Sequence, residues 1–262
     1  MPSSARLLIV AALVSAAACA PKAPALPGGS GAPFAEFASA YQQATAACAG
    51  VKTITLSMAM SGKAGKTSLR GRLDAGFAAP GRARLEGIPP FGKPVFVLVA
   101  EGGRGTLVLT RDDRVLRDSP PDDIVEALAG VRLGPDALRT AVAGCGFGIV
   151  PTSGQVFPNG WVAASAAEGT TYLRPRDGGW EIAAAQRAPI TIFYSNYAGG
   201  RPGVIRLRAS EGGQTKADLT LRLSDVDINT TLEPRTFQAE LPEHPVPLTL
   251  EELRRSGPLG GS

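Results

Sequence analysis

Residues 53–61 read Thr-Ile-Thr-Leu-Ser-Met-Ala-Met-Ser, and their alternation decides the fold. Ile54, Leu56, Met58 and Met60 share one face and Thr53, Thr55 and Ser57 the other, the period of two that marks a half-buried strand. Gly62 to Lys66 make a turn, and the next run sets Leu69, Leu73 and Phe77 against Arg70, Arg72 and Asp74. The cadence recurs at RARLEGI (82–88), VFVLVAE (95–101), GTLVLT (105–110) and RVLRDS (114–119). Six short strands with Gly, Pro or Asp turns, each polar on one face, predict an antiparallel meander.

Two helices follow. Pro120-Pro121-Asp122-Asp123 suits a helix start, Ile124, Val125 and Leu128 form its apolar side, and Gly130 stops it. A second helix spans Pro135 to Ala143 and stops at Gly144. Period two then returns at 160–166, 170–175, 180–186, 190–195, 204–209 and 216–229. In the last of these, Leu219, Leu221 and Leu223 take odd positions but Val226 and Ile228 even ones, so a β-bulge is predicted near Ser224. Asp225 and Asp227 read as the solvent face of that strand. Upstream of the first strand, Phe34, Phe37, Tyr41, Ala44 and Cys48 recur at intervals of 3, 4, 3 and 4, a helix over 34–49 opened by Pro33. A Pro-rich stretch and a short helix, LTLEELRR (248–255), end the chain. The reading is one domain over 34–262, mainly β: a large curled antiparallel sheet, or incomplete barrel, covered by about three helices.

Gly (32) and Pro (22) are too frequent among the 262 residues for a helical bundle. One His and three Cys leave little material for a zinc site or a His-based triad. A net charge of +4, evenly spread, does not suggest nucleic acid. SGKAGKTS (61–68) resembles a phosphate loop, but the first required glycine is replaced by Met60 and the segment joins two strands rather than a strand and a helix. His244 lies in a segment without a core pattern. Asp112-Asp113 fits a hairpin turn and Asp122-Asp123 a helix start. No catalytic residue, metal ligand or cofactor is expected.

Residues 1–18 have one charge, Arg6, and an apolar run from Leu7 to Ala18, too short for the roughly 20 residues of a membrane span. This is a signal peptide. Ala16-Ala17-Ala18-Cys19 resembles the lipobox of bacterial lipoproteins, in which the cysteine sulfur carries a diacylglycerol, although Ala16 stands where Leu is usual. The resemblance implies an acyl anchor on Cys19. Ala20, rather than Asp, after that cysteine implies sorting to the outer membrane. The alternative is ordinary cleavage near Ala18. Residues 19–33 are the lipidated end and a Pro/Gly-rich tether. With Cys19 acylated, Cys48 and Cys145 remain as an even pair in an oxidising compartment, each at the end of an apolar helical stripe. They either form a disulfide or stay as two buried thiols.

Met58, Met60, Leu73, Phe77, Leu85, Leu107, Trp161, Leu173, Leu221 and Leu223 occupy the expected inward faces. A sheet of about a dozen strands must curl or split. If it curls over short helices, these residues line an apolar cavity for a greasy ligand; if not, they fill a sandwich core.

The order of elements, with the first helix before Thr53, paired helices at 122–143 and the stretch RARLEGIPPFGKPVFVLVAEGGRGTLVLTRDDRVL (82–116), resembles the LolA/LolB superfamily of envelope lipoprotein carriers and receptors over about residues 34–240. The resemblance implies a half-barrel under a helical lid whose cavity receives lipid or lipoprotein acyl chains. The partners implied are the membrane, through the acyl anchor, and an acylated ligand, on the periplasmic side of the outer membrane and without catalysis. The chain departs from that pattern in its tether, its two further cysteines and PLTLEELRRSGPL (247–259). The other reading is a structural or assembly lipoprotein with a filled core that acts through protein contacts, for which Arg254, Arg255 and the arginines of 201–208 are candidates.

Overall fold

The computed structural model describes residues 25–89, 91 and 93–256. The signal peptide, Cys19, the start of the tether and the chain's last six residues lie outside the described residues.

A first strand, β1 (Ala32–Pro33), precedes helix α1 (Phe37–Thr45). Six strands follow: β2 (Thr53–Ala64), β3 (Thr67–Ala78), β4 (Arg82–Ile88), β5 (Phe96–Glu101), β6 (Arg104–Leu109) and β7 (Arg114–Ser119). Helices α2 (Pro121–Ala129) and α3 (Pro135–Ala143) lead to a second run. It comprises β8 (Ser153–Val156), β9 (Val162–Ala166), β10 (Gly169–Arg176), β11 (Gly179–Arg187), β12 (Ile190–Ala198), β13 (Arg201–Glu211) and β14 (Gln214–Ile228). A 3-10 turn (Pro234–Phe237), β15 (Val246–Pro247) and α4 (Leu250–Ser256) complete the described chain.

All fifteen strands form one unclosed sheet in the order β1-β8-β9-β10-β11-β12-β13-β14-β2-β3-β4-β5-β6-β7-β15. Two meanders meet at the long β14–β2 pair, and only β15 pairs in parallel. The expected bulge lies in this central pair, where the register slips between Ser224 and Asp227 and Asp225 adopts φ 52°. Such bulges bend a strand and raise its twist, which helps a broad sheet curl. At Gly62, φ is 147° and a Cβ would stand 2.1 Å from the carbonyl oxygen of Asp218. Only glycine lets β2 and β14 approach there.

Both sheet edges are covered by the ends of the chain. Residues 32–34 pair with β8, the Phe34 amide donating to the Gly154 carbonyl at 3.0 Å. The helix expected from Phe34 therefore begins at Phe37, because Pro33 is taken into the sheet instead of opening the helix. At the other edge β15 pairs with β7, and α4 returns to the inner face, where Leu248 and Leu253 join the core. These covers leave no long bare edge strand, the feature that invites aggregation.

The helices lie on the inner face: α1 against β8–β11, α3 against β2, β3, β4 and β13, and α2 against β6 and α4. Prolines at the first position of α2 and α3 and left-handed glycines after each (Gly130, φ 70°; Gly144, φ 95°) fix their bounds as the sequence suggests. Cys48 and Cys145, just past α1 and α3, are joined by a disulfide with Cα atoms 5.6 Å apart.

Candidate functional site

The inner face is the first candidate. Met58 stands opposite Leu73 on one side and Leu223 on the other, and Met60 opposite Leu221. Period-two strands in this register bring these five side chains into one patch on the inner face. Phe77, Leu85 and Leu107 continue it across the first meander, and Leu173 lies in the second. Phe77, Leu107 and Leu173 have no exposed surface. Trp161 does not join them. Val162, fully buried, takes the inner position, so its neighbour falls outside the cluster, and Trp180 is the tryptophan packed against the core. Residue size misled the alternation there. None of the ten lines a pocket at the rim or a second, smaller one beside Arg114 and Glu252.

The larger pocket, about 450 Å³, lies at the rim, where the end of α1 (Gln43, Ala44, Ala47) meets the β10–β11 and β12–β13 turns. Glu181, 7 % exposed, accepts hydrogen bonds from Arg174 Nε and, at 2.7 Å, from Arg176 Nη1. The Tyr197 hydroxyl donates to the Ile182 carbonyl at 2.6 Å, and Arg176 lies over its ring. Burial first, then the charge of Glu181, raises the Tyr197 pKa beyond the phenol range. The hydrogen bond to Glu181 strengthens the hold of Arg176 on its proton. Each charge is answered within the network, so this rim positions strands rather than moving protons. Arg176, Glu181 and Tyr197 come from three different strands and carry no local motif. Sequence reading missed them.

Phe91, in the connection between β4 and β5, is 93 % exposed. It lies within the quoted 82–116 stretch, and its signal was an aromatic residue placed between prolines where no strand could bury it.

The remaining candidates take bland places. SGKAGKTS spans the β2–β3 hairpin, Asp112-Asp113 its counterpart between β6 and β7, and His244 an exposed stretch before β15. Asp122 and Asp123 begin α2 and pair with Arg132. Among the described residues no group of three or more His, Cys, Asp or Glu is placed to hold a metal ion. No helix among them is long and apolar enough to cross a membrane.

Neither a family model nor a curated relative matches the sequence. Solved structures do. A DUF1329 family protein from Desulfovibrio piger superposes with a TM-score of 0.50 at 12 % identity, over 76 % of this chain and 96 % of that one. A LolA superfamily protein from Nitrosomonas europaea superposes with a TM-score of 0.48 at 13 % identity, over 77 % of this chain and 96 % of that one. The chain shares the overall fold of the DUF1329 family protein, a likeness that concerns the fold alone. The curled sheet is an incomplete barrel, and α1, α2 and α3 cover its inner face as a lid. The 3-10 turn through α4 forms a C-terminal strap. Phe237 of that turn is buried against the outer face of β4 and β5, beneath Arg82 at 5.0 Å, before the chain rounds the β7 edge to the inner side.

Proposed function

We propose that this protein binds acyl chains of lipids or lipoproteins between the inner face of its sheet and its lid. In this reading an acylated Cys19 anchors it to the outer membrane of a bacterial envelope, facing the periplasm. The observation that carries the reading is the inner face itself. Met58, Met60, Leu73, Leu221 and Leu223 form a continuous apolar patch on the two longest strand pairings, beneath short, separate helices. Methionine adapts to ligands of irregular shape, and each methylene withdrawn from water is worth about 0.8 kcal/mol, so acyl chains bind without polar chemistry. No residue then needs to act as acid, base or nucleophile. The interior is closely packed, so chains enter by displacing the lid. Phe91 offers an apolar contact outside it.

A second reading is favoured by one observation, that Phe77, Leu107 and Leu173 of the inner face have no exposed surface. It holds that the core is permanently filled and the protein works through contacts with an envelope partner. The full chain carrying Cys19→Ser, exported to the periplasm and purified without detergent, separates the two. Near-stoichiometric phospholipid or acylated peptide in its organic extract is the expected result. A lipid-free protein that also excludes a fluorescent fatty-acid probe would overturn the acyl-binding reading in favour of the second.

A further inference from the structure

On the outer face of the sheet, β2 forms a floor of small side chains between two walls of cations. Ala59, Ser61 and Lys63 are exposed there, alternating with buried Met58, Met60 and Ala64. Opposite Ala59 stand Arg222 of β14 and Arg72 of β3; opposite Ser61, Thr220 and Arg70; opposite Lys63, Asp218 and Ser68. One strand further, Arg206 faces Thr220 and Arg208 faces Asp218. At the spacing of neighbouring strands this face is about 15 Å across.

Arg206 holds Asp218 through two bonds of 2.6 and 2.8 Å, and Arg208 approaches the same carboxylate at 3.4 Å. Arg72 donates to Ser57 at 3.0 Å and lies 3.4 Å from Asp74. Lys63, Arg70 and Arg222 have no acidic partner among the described residues. The face thus sets six cations against two carboxylates, Asp218 and Asp74, a surplus of four that equals the +4 of the whole chain. The rest of the molecule is net neutral. Along the strands the sign reverses: Asp74, Asp225 and Asp227 border the opposite end. The cations therefore gather toward the β2–β3 turn, which adds Lys66. Because successive strands are antiparallel, the β4–β5 connection with Phe91 and Lys93 emerges at this same end.

Between its charges the face presents Ala59, Ser61, Ser68 and Thr220. It lacks the aromatic anchors that give protein interfaces their affinity, and its cations are spread rather than focused on one point. A surface of many phosphates suits that layout. We infer that this face docks the protein on an anionic bilayer, its guanidinium and ammonium groups on headgroup phosphates. The inference rests on the envelope setting proposed above but is independent of any cargo, since its readout is attachment to vesicles rather than ligand in the interior.

The test uses the full chain with Cys19→Ser, so that no acyl anchor contributes, and sedimentation with vesicles of phosphatidylcholine alone or mixed with phosphatidylglycerol. The parent binds the anionic vesicles more tightly, and added salt weakens that binding. Replacing Lys63, Arg70 and Arg222 by serine costs about fivefold per cation and about a hundredfold together. All three are exposed, so folding is spared, which circular dichroism verifies. A control removes three exposed cations elsewhere, Lys52, Arg104 and Arg235, and keeps most of the binding. Equal loss in that control would reduce the effect to net charge and overturn the face. So would a parent indifferent to anionic lipid, or a triple variant that binds unchanged. Binding of soluble polyglutamate but not of vesicles would assign the face to an acidic protein instead.

Discussion

The two sides of the lid are held by different physics. On the α1–α3 side the fastening is covalent and buried. The Cys48–Cys145 disulfide ties the end of α1 to the end of α3 across 97 residues of sequence. Beneath it, the fully buried Tyr194 hydroxyl donates to the Ala141 carbonyl and accepts from the Gly146 amide, both at 3.0 Å. On the α2–α4 side the fastening is not covalent. Leu248, Leu253 and the apolar side of α2 pack into the core, and ion pairs, mostly exposed, edge them. Asp123 pairs with Arg132 and with Arg254 of α4, at 3.3 Å in the second case, and Glu252 reaches Arg114 at 3.2 Å. Exposed pairs of this kind contribute at most about 1 kcal/mol each and are screened by salt. In the acyl-binding reading, α2 and the C-terminal strap move while α1 and α3 stay in place.

Breaking the covalent side has the largest expected effect. Cross-linking a loop of 97 residues removes chain entropy from the unfolded state worth about 4 to 5 kcal/mol. Denaturant titration of Cys48→Ser with Cys145→Ser should show a loss of that order, and dithiothreitol should reproduce it in the parent. If reduction leaves the midpoint where it was, the two sides are not held differently and the comparison collapses. Next in size is Leu253→Ala in α4. Leu253 is 3 % exposed, and truncating such a side chain costs about 2 to 5 kcal/mol. Because α4 closes one edge rather than the centre of the core, hydrogen exchange should quicken in α4, α2 and β7 while α1 keeps its protection. Uniform quickening in all four elements would mean that the strap is part of one cooperative core.

Much of this layout was legible in the sequence, and the reasons differ by element. β4 (82–88), β7 (114–119) and α3 (135–143) begin and end where period and punctuation put them, because alternation, proline and glycine act locally. The phase slip at Ser224 revealed its bulge for the same reason. β1, β8 and β15 were missed: strands of two to four residues are too short to show a period, and their pairing is decided by the edges they cover. That tertiary demand also drew Pro33 out of α1. The basic outer face was half legible. Arg70 and Arg72 read as the polar face of a strand and the arginines of 201–208 as candidate contacts, but that they share a surface with Arg222 depends on β14 pairing with β2, across more than 150 residues of sequence.

The smallest predicted effect concerns acid, and it separates the two sides most finely. At the start of α4, Thr249 and Glu252 form a reciprocal cap. The Glu252 carboxylate accepts the Thr249 amide at 2.8 Å and its hydroxyl at 3.0 Å, and the Thr249 hydroxyl accepts the Glu252 amide at 3.2 Å. The bonds from Thr249 hold the Glu252 pKa below the usual carboxylate range. A depressed pKa stabilises the folded state above the ordinary glutamate value, and that contribution is lost as pH falls through the lowered one. The cap should therefore loosen on acidification, and amide protection over Leu250–Ser256 should fall ahead of the rest. Glu252→Gln should start lower and stay level over the same range. The other side offers a contrast within the same sample. Its fastenings are a disulfide, which does not titrate, and the Tyr194 hydroxyl, whose pKa burial raises well above the ordinary phenol value, so neither responds to acid. Protection in α1 falling in step with α4 would show that acid acts on the whole fold rather than on this cap. A flat profile in α4 would remove Glu252 from the list of what holds the strap.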